Sequence, residues 1–170
     1  PWDVEEFDVA PDGRTIAFVT NEDGASVLHH VEAASGAALP VPTLPIGVVG
    51  TLAWHGSGRE LGLSLSSPRA PSEMYSVDFA AQRIERWTES ETGGINAAAF
   101  AEPEVVRWQS FDGRTISGLL YKPPARFAGP RPVVINIHGG PESQSRPTFL
   151  GRNNYYLDQL GVAILFPNVR

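Results

Sequence analysis

Residues 133–141 read VVINIHGGP, so two glycines closely follow a short run of mostly apolar residues. A continuous run of this kind is typical of a strand that is buried on both faces, as in a parallel sheet. In open α/β sheets, ligands bind outside the carboxyl ends of the strands, which is where Gly139 and Gly140 lie in the sequence. The stretch therefore predicts both an α/β sheet and a ligand site at the end of this strand.

The residues that follow predict a parallel crossover. An apolar pattern with helical spacing runs over residues 152–160, and Gly161 stands where a left-handed helix cap belongs. Residues 162–166, VAILF, predict a second buried strand. Because strand, helix and strand over this distance form a parallel unit, residues 133–166 predict the opening of an α/β sheet.

A hairpin and a loop are predicted just upstream. Residues 104–111, EVVRWQSF, and 114–121, RTISGLLY, are rich in strand formers and are separated by Asp112 and Gly113. This pair of residues is favoured in tight hairpins because both tolerate a positive φ. The proline-rich residues 122–132 then predict an exposed loop, since proline fixes φ and donates no hydrogen bond.

The first part of the chain contains an internal repeat. Residues 10–19, APDGRTIAFV, and 55–64, HGSGRELGLS, both read as a turn followed by a strand, and Gly13 and Gly58 lie 45 residues apart. Downstream, VLHHVE matches MYSVD at an offset of 46 when Val31 is set on Val77. The alternative is two unrelated hairpins that share a Gly-Arg turn.

A period of about 40 to 50 residues built of short strands is the signature of a β-propeller blade. Two blades cannot close a ring of about 4 to 8, so we expect further blades upstream of residue 1. Charge supports a boundary at Pro103: residues 1–103 carry five arginines and fifteen acidic residues, net −10, whereas residues 104–170 carry eight basic and four acidic residues, net +4. We therefore predict two domains, 1–103 and 104–170, although mere surface variation could produce the same asymmetry.

Composition excludes several classes of protein. A net charge of −6 argues against nucleic acid as a partner. The sequence has no apolar run of membrane-spanning length and no targeting segment at its start, so we expect no membrane and, by default, a cytoplasmic location. Cysteine is absent, and histidines 29, 30, 55 and 138 lack metal-binding spacing, so we expect no metal and no cofactor.

The glycine pair suits an oxyanion hole. Without a Cβ, Gly139 and Gly140 can turn backbone N–H groups toward the oxygen that becomes negative in an acyl-transfer transition state. The alternative is a bend in which the glycines only relieve strain. No serine lies in a G-x-S-x-G elbow, and His138 is more easily read as a structural histidine than as a catalytic base, so no catalytic triad is visible in the chain.

Together these features resemble the prolyl oligopeptidase family of serine peptidases, and within it the acylaminoacyl-peptidase branch. The resemblance rests on the blade repeat followed by FDGRTISGLLYKPP, PVVINIHGGPES, NNYYLDQLG and VAILFPNVR, and it covers essentially the whole chain. It implies a mixed fold: the C-terminal part of a propeller, about two blades, followed by the first part of an α/β-hydrolase domain. The implied activity is hydrolysis of short peptides, acylaminoacyl- or dipeptidyl-peptidase-like.

The resemblance also assigns roles to individual residues. Gly140, with Gly139, corresponds to the backbone oxyanion hole, and His138 stands where some relatives place a tyrosine. Arg170 resembles an arginine of a loop that lines the active site and contacts substrate. The triad is expected beyond Arg170, so the remainder of the same polypeptide would be the partner, the isolated chain would be inactive, and a homo-oligomer is possible.

Two alternatives remain open from the sequence. An esterase of the HGG type would share the oxyanion loop but would not need propeller blades. A non-catalytic propeller module that binds a partner would retain only a degenerate hydrolase remnant.

Overall fold

In the computed structural model, which describes residues 2–140 and 142–169, eleven strands form three β-sheets and helix is confined to short segments. The first sheet comprises β1 (Val4–Val9), β2 (Thr15–Glu22) and β3 (Ala25–Glu32), and the second comprises β4 (Val48–Trp54), β5 (Glu60–Ser67), β6 (Ala70–Asp78) and β7 (Arg83–Arg86). The third comprises β8 (Glu104–Gln109), β9 (Thr115–Tyr121), β10 (Val133–Ile135) and β11 (Ala163–Pro167). The helical segments are α1 (Asn154–Asp158) and the 3-10 turns Ala97–Ala99 and Gly151–Asn153.

The first two sheets are antiparallel meanders, and corresponding strands in the two sheets pair at corresponding residues. Ile16 of β2 pairs with Val31 of β3, and Leu61 of β5 pairs with Val77 of β6. These are the positions that the sequence repeat equates, so the predicted repeat is confirmed.

The fourth strand of the repeat is rudimentary in the first sheet. Val77 pairs with Ile84 of β7, and at the equivalent place Val31 pairs with Ala38 in an isolated bridge. The first copy therefore turns back at the same register but forms one bridge where the second copy forms a strand.

An irregularity in β6 explains why the repeat offset grows from 45 to 46. Leu65 pairs with Glu73, but the next pair is Ser67 with Ala70, so β6 carries one more residue than β5 between these pairs. An extra residue of this kind bends a strand without ending its ladder. The offset of one residue is thus taken up within β6.

The hydrophobic core of residues 4–86 lies between the first two sheets and is centred on β5. The residues of β5 alternate in burial, with Leu61, Leu63 and Leu65 only 0%, 1% and 2% exposed. Alternation at period two places these three leucines on one face of the sheet. They form one cluster with Ala17, Val19, Leu28, Val49, Leu52 and Val77.

The turns that open both copies are alike. Gly13 donates to the carbonyl of Ala10 and Gly58 donates to the carbonyl of His55, each at 2.8 Å. Both glycines have a φ of +70°, which an L side chain rarely adopts. The shared glycine therefore reflects a shared backbone requirement.

The hairpin of β8 and β9 is confirmed, but its turn differs from the prediction. Gly113 has a φ of +80° and donates to Ser110 O at 3.0 Å, whereas Asp112 lies outside the positive-φ region. The turn is therefore longer than a two-residue hairpin turn, and only its glycine needs the left-handed conformation.

The third sheet has the order β10-β11-β9-β8. β10 and β11 are parallel, with Val133 opposite Ala163, and β11 is antiparallel to β9. The predicted parallel crossover is therefore confirmed. Its helix is shorter than residues 152–160, because one 3-10 turn precedes α1, while Gly161 has the expected positive φ of +61°.

The prediction that β10 is buried on both faces is wrong for this structure. Val133, Val134 and Ile135 are 51%, 42% and 59% exposed. The physical reason is position: β10 is an edge strand, and the described residues leave its side chains open to solvent. β11 lies between β10 and β9, and its Ile164 is only 3% exposed, so the second buried strand is confirmed.

The third sheet begins at Glu104, directly after the predicted boundary at Pro103. Between Arg86 and Glu104 the described chain forms a 3-10 turn and no strand. The assignment of residues 1–103 and 104–170 to separate domains stays a prediction.

Candidate functional site

The candidate site begins where β10 leaves the sheet. Asn136 donates from its backbone to Leu165 O at 2.8 Å, which extends the parallel pairing by one residue. Beyond Asn136, no backbone hydrogen bond joins the described residues 137–140 to β11. The glycine pair thus lies just beyond the carboxyl end of the strand, as the sequence predicts.

The two glycines of the bend differ in what they require. Gly140 has a φ of +135°, and a Cβ placed there would lie 3.1 Å from Glu142 N and 3.2 Å from Glu142 O. Gly139 has no positive φ, and a Cβ there would meet no atom within 4 Å. The backbone therefore needs glycine at position 140 and could accept a small side chain at 139.

Backbone donors of the bend are unused among residues 2–140 and 142–169. Neither Gly139 N nor Gly140 N donates a hydrogen bond to the backbone or to a side chain in that part of the chain, and both residues are exposed. Two adjacent amides are therefore available to an acceptor from outside. Pro141 and Arg170 lie outside the described residues, so the expected role of Arg170 in substrate contact stays a prediction.

His138 contacts the bend itself. Its Nδ1 lies 3.2 Å from the carbonyl oxygen of Gly139, and its Nε2 is buried without a partner among the described residues. Because a carbonyl oxygen only accepts, Nδ1 is the donor in this pair. The imidazole is thus tied to the backbone of the loop.

Asn168 fastens the following loop to the sheet. It lies at the carboxyl end of β11, where its backbone N–H donates to Ser117 O at 2.9 Å. Its side-chain Oδ1 accepts from Ser145 N at 2.7 Å. Sequence reasoning did not select Asn168, although its place after a buried strand is the same signal that selected the glycines.

A small cavity of about 200 Å³ adjoins the same loop. Tyr121 lines it, is almost fully buried, and has no hydrogen-bond partner for its hydroxyl among the described residues. Burial raises the pKa of the Tyr121 phenol well above its usual range, so it stays neutral. Larger clefts lie elsewhere, between residues 91–100 and α1 and between the first two sheets.

In residues 2–140 and 142–169, no group of three or more His, Asp or Glu side chains is arranged to hold a metal ion. None of the helices in the described part of the chain is long and apolar enough to cross a bilayer.

No protein-family model matches the sequence. Among curated proteins, the uncharacterized peptidase YuxL of Bacillus subtilis strain 168 is 28% identical over 109 residues, which are 63% of this chain and 16% of that protein. The matched segment therefore covers less than a fifth of the length of this relative.

Solved structures match nearly the whole chain. Prolyl oligopeptidase B from Galerina marginata covers 99% of this chain with 24% of its own, at a TM-score of 0.82 and 18% identity. A puromycin hydrolase covers 97% with 25% of its own, at a TM-score of 0.74 and 25% identity. An acylaminoacyl peptidase from Pyrococcus horikoshii covers 99% with 25% of its own, at a TM-score of 0.71 and 19% identity.

Peptidases of the prolyl oligopeptidase family are therefore structural neighbours of this chain, which spans about a quarter of their length. Its mostly β architecture with little helix matches the propeller portion of these neighbours. The similarities extend over several kinds of peptidase, so the acylaminoacyl branch and the α/β-hydrolase part stay predictions.

Proposed function

We propose that this chain is part of a serine peptidase of the prolyl oligopeptidase family that hydrolyses short peptides. Residues 1–103 would supply about two propeller blades, and residues 104–170 the first part of an α/β-hydrolase domain. The catalytic serine, aspartate and histidine would come from other sequence of the same polypeptide. In this proposal the chain contributes the oxyanion hole.

One observation carries the proposal: Gly139 and Gly140 are exposed at the carboxyl end of a strand in a parallel pair, and their amides donate no hydrogen bond within residues 2–140 and 142–169. Ligands bind at such strand ends in open α/β sheets. Backbone donors held in place before the reaction stabilise the oxyanion without reorganisation, and losing one such donor costs about 10²- to 10³-fold in kcat.

His138 supports this role for Gly140. The peptide between Gly139 and Gly140 is planar and trans, so the Gly139 carbonyl and the Gly140 N–H point in opposite directions. Because His138 Nδ1 donates to that carbonyl, it holds the Gly140 N–H directed away from the imidazole. His138 would then be a positioning residue of the loop and not the base of the triad.

The chemistry assigned to the site is acyl transfer. A serine hydroxyl from elsewhere in the polypeptide would attack the peptide carbonyl carbon and pass its proton to the catalytic histidine. The carbonyl oxygen would accept hydrogen bonds from Gly140, with Gly139 beside it. As the carbonyl carbon becomes tetrahedral, negative charge collects on that oxygen and these hydrogen bonds strengthen. An acylaminoacyl or dipeptidyl preference is the finer part of the proposal.

The test uses a full-length protein that contains this chain. We expect it to hydrolyse chromogenic acyl-amino-acid or dipeptide substrates and to be labelled by a fluorophosphonate. Turnover of simple esters but not of peptides would replace the proposal with an esterase, and neither turnover nor labelling would replace it with a binding module. The 170-residue chain alone should be inactive, so hydrolysis by the purified chain would contradict the assignment of the triad to other sequence.

A further inference from the structure

Arg146 joins the loop after the glycine bend to the first sheet. Its Nη1 and Nη2 donate to the two carboxylate oxygens of Glu5 at 2.7 and 2.8 Å, and its Nε donates to Gly24 O at 2.8 Å. Nη2 also lies 3.2 Å from Ser26 Oγ. Arg146 thus reaches β1, the β2–β3 turn and β3 with one side chain.

The pair with Glu5 has the geometry of a strong ion pair. The two-fold contact matches the planar guanidinium to the carboxylate, which adds specificity to the attraction. Both side chains are largely shielded, at 21% exposed for Arg146 and 29% for Glu5. Solvent screening is therefore weaker here than for a fully exposed pair.

The loop is held on both sides at this point. Gln144 Oε1 accepts from Asn21 Nδ2 of β2 at 2.8 Å, while Ser145 N donates to Asn168 at the end of β11. A Cβ on Gly24 would lie 3.0 Å from Ser145 O, so the β2–β3 turn packs directly on the loop. Residues 144–146 thus contact both the first sheet and the third.

The opposite net charges of residues 1–103 and 104–170 contribute to the contact between them. Among the described residues, ion pairs cross between residues before and after 104 at two places, Glu5 with Arg146 and Asp23 with Arg107. In both, the acid comes from the net acidic part and the arginine from the net basic part. Opposite charge on the two parts favours this juxtaposition and fixes its register.

We propose that Arg146 is a positioning residue that holds the Gly139–Gly140 bend in place by clamping its loop to the first sheet. This inference rests on the proposed function. Arg146 lies only six positions after Gly140, and its neighbour Ser145 is hydrogen-bonded to Asn168 at the end of β11. Fixing Arg146 therefore limits how far the bend can move, and displacements of about 1 Å in a catalytic group can cost about 10²-fold in rate.

The consequence is that contact between blade and loop is required for catalysis and not only for folding. The substitution R146A should lower kcat about 10- to 100-fold, because a loosened bend stabilises the transition state less. KM should change less than about threefold, since donors to the oxyanion act mainly in the transition state. R146K retains the charge without the two-fold contact and should recover part of the loss.

The experiment compares variants of a full-length protein that contains this chain. E5Q keeps the shape of its side chain but removes the charge partner, and should reproduce the kcat defect of R146A in milder form. The control is R152A, which removes an exposed arginine six residues further along and should leave kcat and KM unchanged. If R146A does not fold, E5Q carries the same test.

A second measurement separates this inference from the proposed function. Amide hydrogen exchange of residues 137–146 should be faster in R146A and E5Q than in the wild type or R152A, with residues of β5 unchanged. An inactive wild type that still shows this faster exchange would overturn the peptidase proposal and retain the clamp. Unchanged kcat and unchanged exchange in both variants would overturn the clamp, whatever the activity of the wild type.

Discussion

β5 carries three leucines and β10 consists of three apolar residues, yet the leucines of β5 are buried and β10 is open to solvent. β5 has a hydrogen-bonded strand on each side, and its leucines pack against the neighbouring sheet. β10 has a strand on one side, and the described residues leave its side chains exposed. The comparison teaches that apolar sequence predicts the strand, while the elements packed around it decide its burial.

The largest expected effect comes from the core around β5. The substitution L63A removes most of a fully buried side chain, and should lower the free energy of unfolding by about 2–5 kcal/mol, from lost transfer energy and the cavity left behind. Urea unfolding followed by circular dichroism measures it. A cost below about 1 kcal/mol would mean that the two sheets do not share a tight core.

The next largest effect concerns Glu73, which fastens the end of β7 and the residues after it to β6. Glu73 of β6 is buried and accepts hydrogen bonds from Thr88 Oγ1, from Ser90 N at 2.6 Å and from Arg86 Nη2 at 3.0 Å. The substitution E73Q leaves these donors incompletely paired, and should cost about 1–3 kcal/mol in the same assay. E85Q is the matched control, because Glu85 of β7 is exposed and should contribute little.

The same carboxylate makes the stability of this region depend on pH. Burial alone would raise the pKa of Glu73, but the hydrogen bonds from Thr88, Ser90 and Arg86 outweigh it and lower the pKa from 4.5 to about 2. A lowered pKa in the folded state stabilises the fold above pH 4.5 and loses that contribution as pH falls toward 2. The difference in stability between wild type and E73Q should therefore shrink between pH 4.5 and 2, and a constant difference would contradict the assignment.

A smaller effect distinguishes the two glycines beyond β10. The substitution G140A forces a side chain into a positive φ and close to Glu142, and should cost about 1–3 kcal/mol of local stability. G139A meets no atom within 4 Å and should be nearly neutral for stability, which makes it the control. Equal costs would show that the bend does not have this backbone conformation.

The smallest effect is expected on β10 itself. The substitution V134A in the 170-residue chain should change the free energy of unfolding by no more than about 0.5 kcal/mol, because Val134 is substantially exposed. Comparing the unfolding free energies of V134A and L63A directly tests whether β10 is less buried than β5. A cost near that of L63A would mean that another surface covers β10 in solution.

Much of the architecture could be predicted because it depends on local patterns. The spacing of Gly13 and Gly58 follows from a turn that needs a positive φ, and the match of Val31 with Val77 follows from register in a meander. The parallel pairing of residues 133–135 with 163–165 follows from the crossover rule. The glycine bend follows in the same way, from small residues just after a strand.

The partners of the site could not be predicted because they lie far apart in the sequence. Arg146 meets Glu5 across 141 positions, and Asn168 meets Ser145 across 23. A single arginine or asparagine in a loop carries no periodic signal, so its role depends on which elements the fold brings beside it. The exposure of β10 has the same cause, because it depends on which elements pack beside that strand.

The sequence by itself determined the strands, the repeat, the turns that need glycine and the position of the glycine bend, because these depend on φ preferences and on the period of apolar residues. Only the tertiary structure decided which strand is central, which is at an edge, and which acidic residue meets which arginine. Burial and ion pairing are properties of neighbours in space, and a chain acquires those neighbours only by folding.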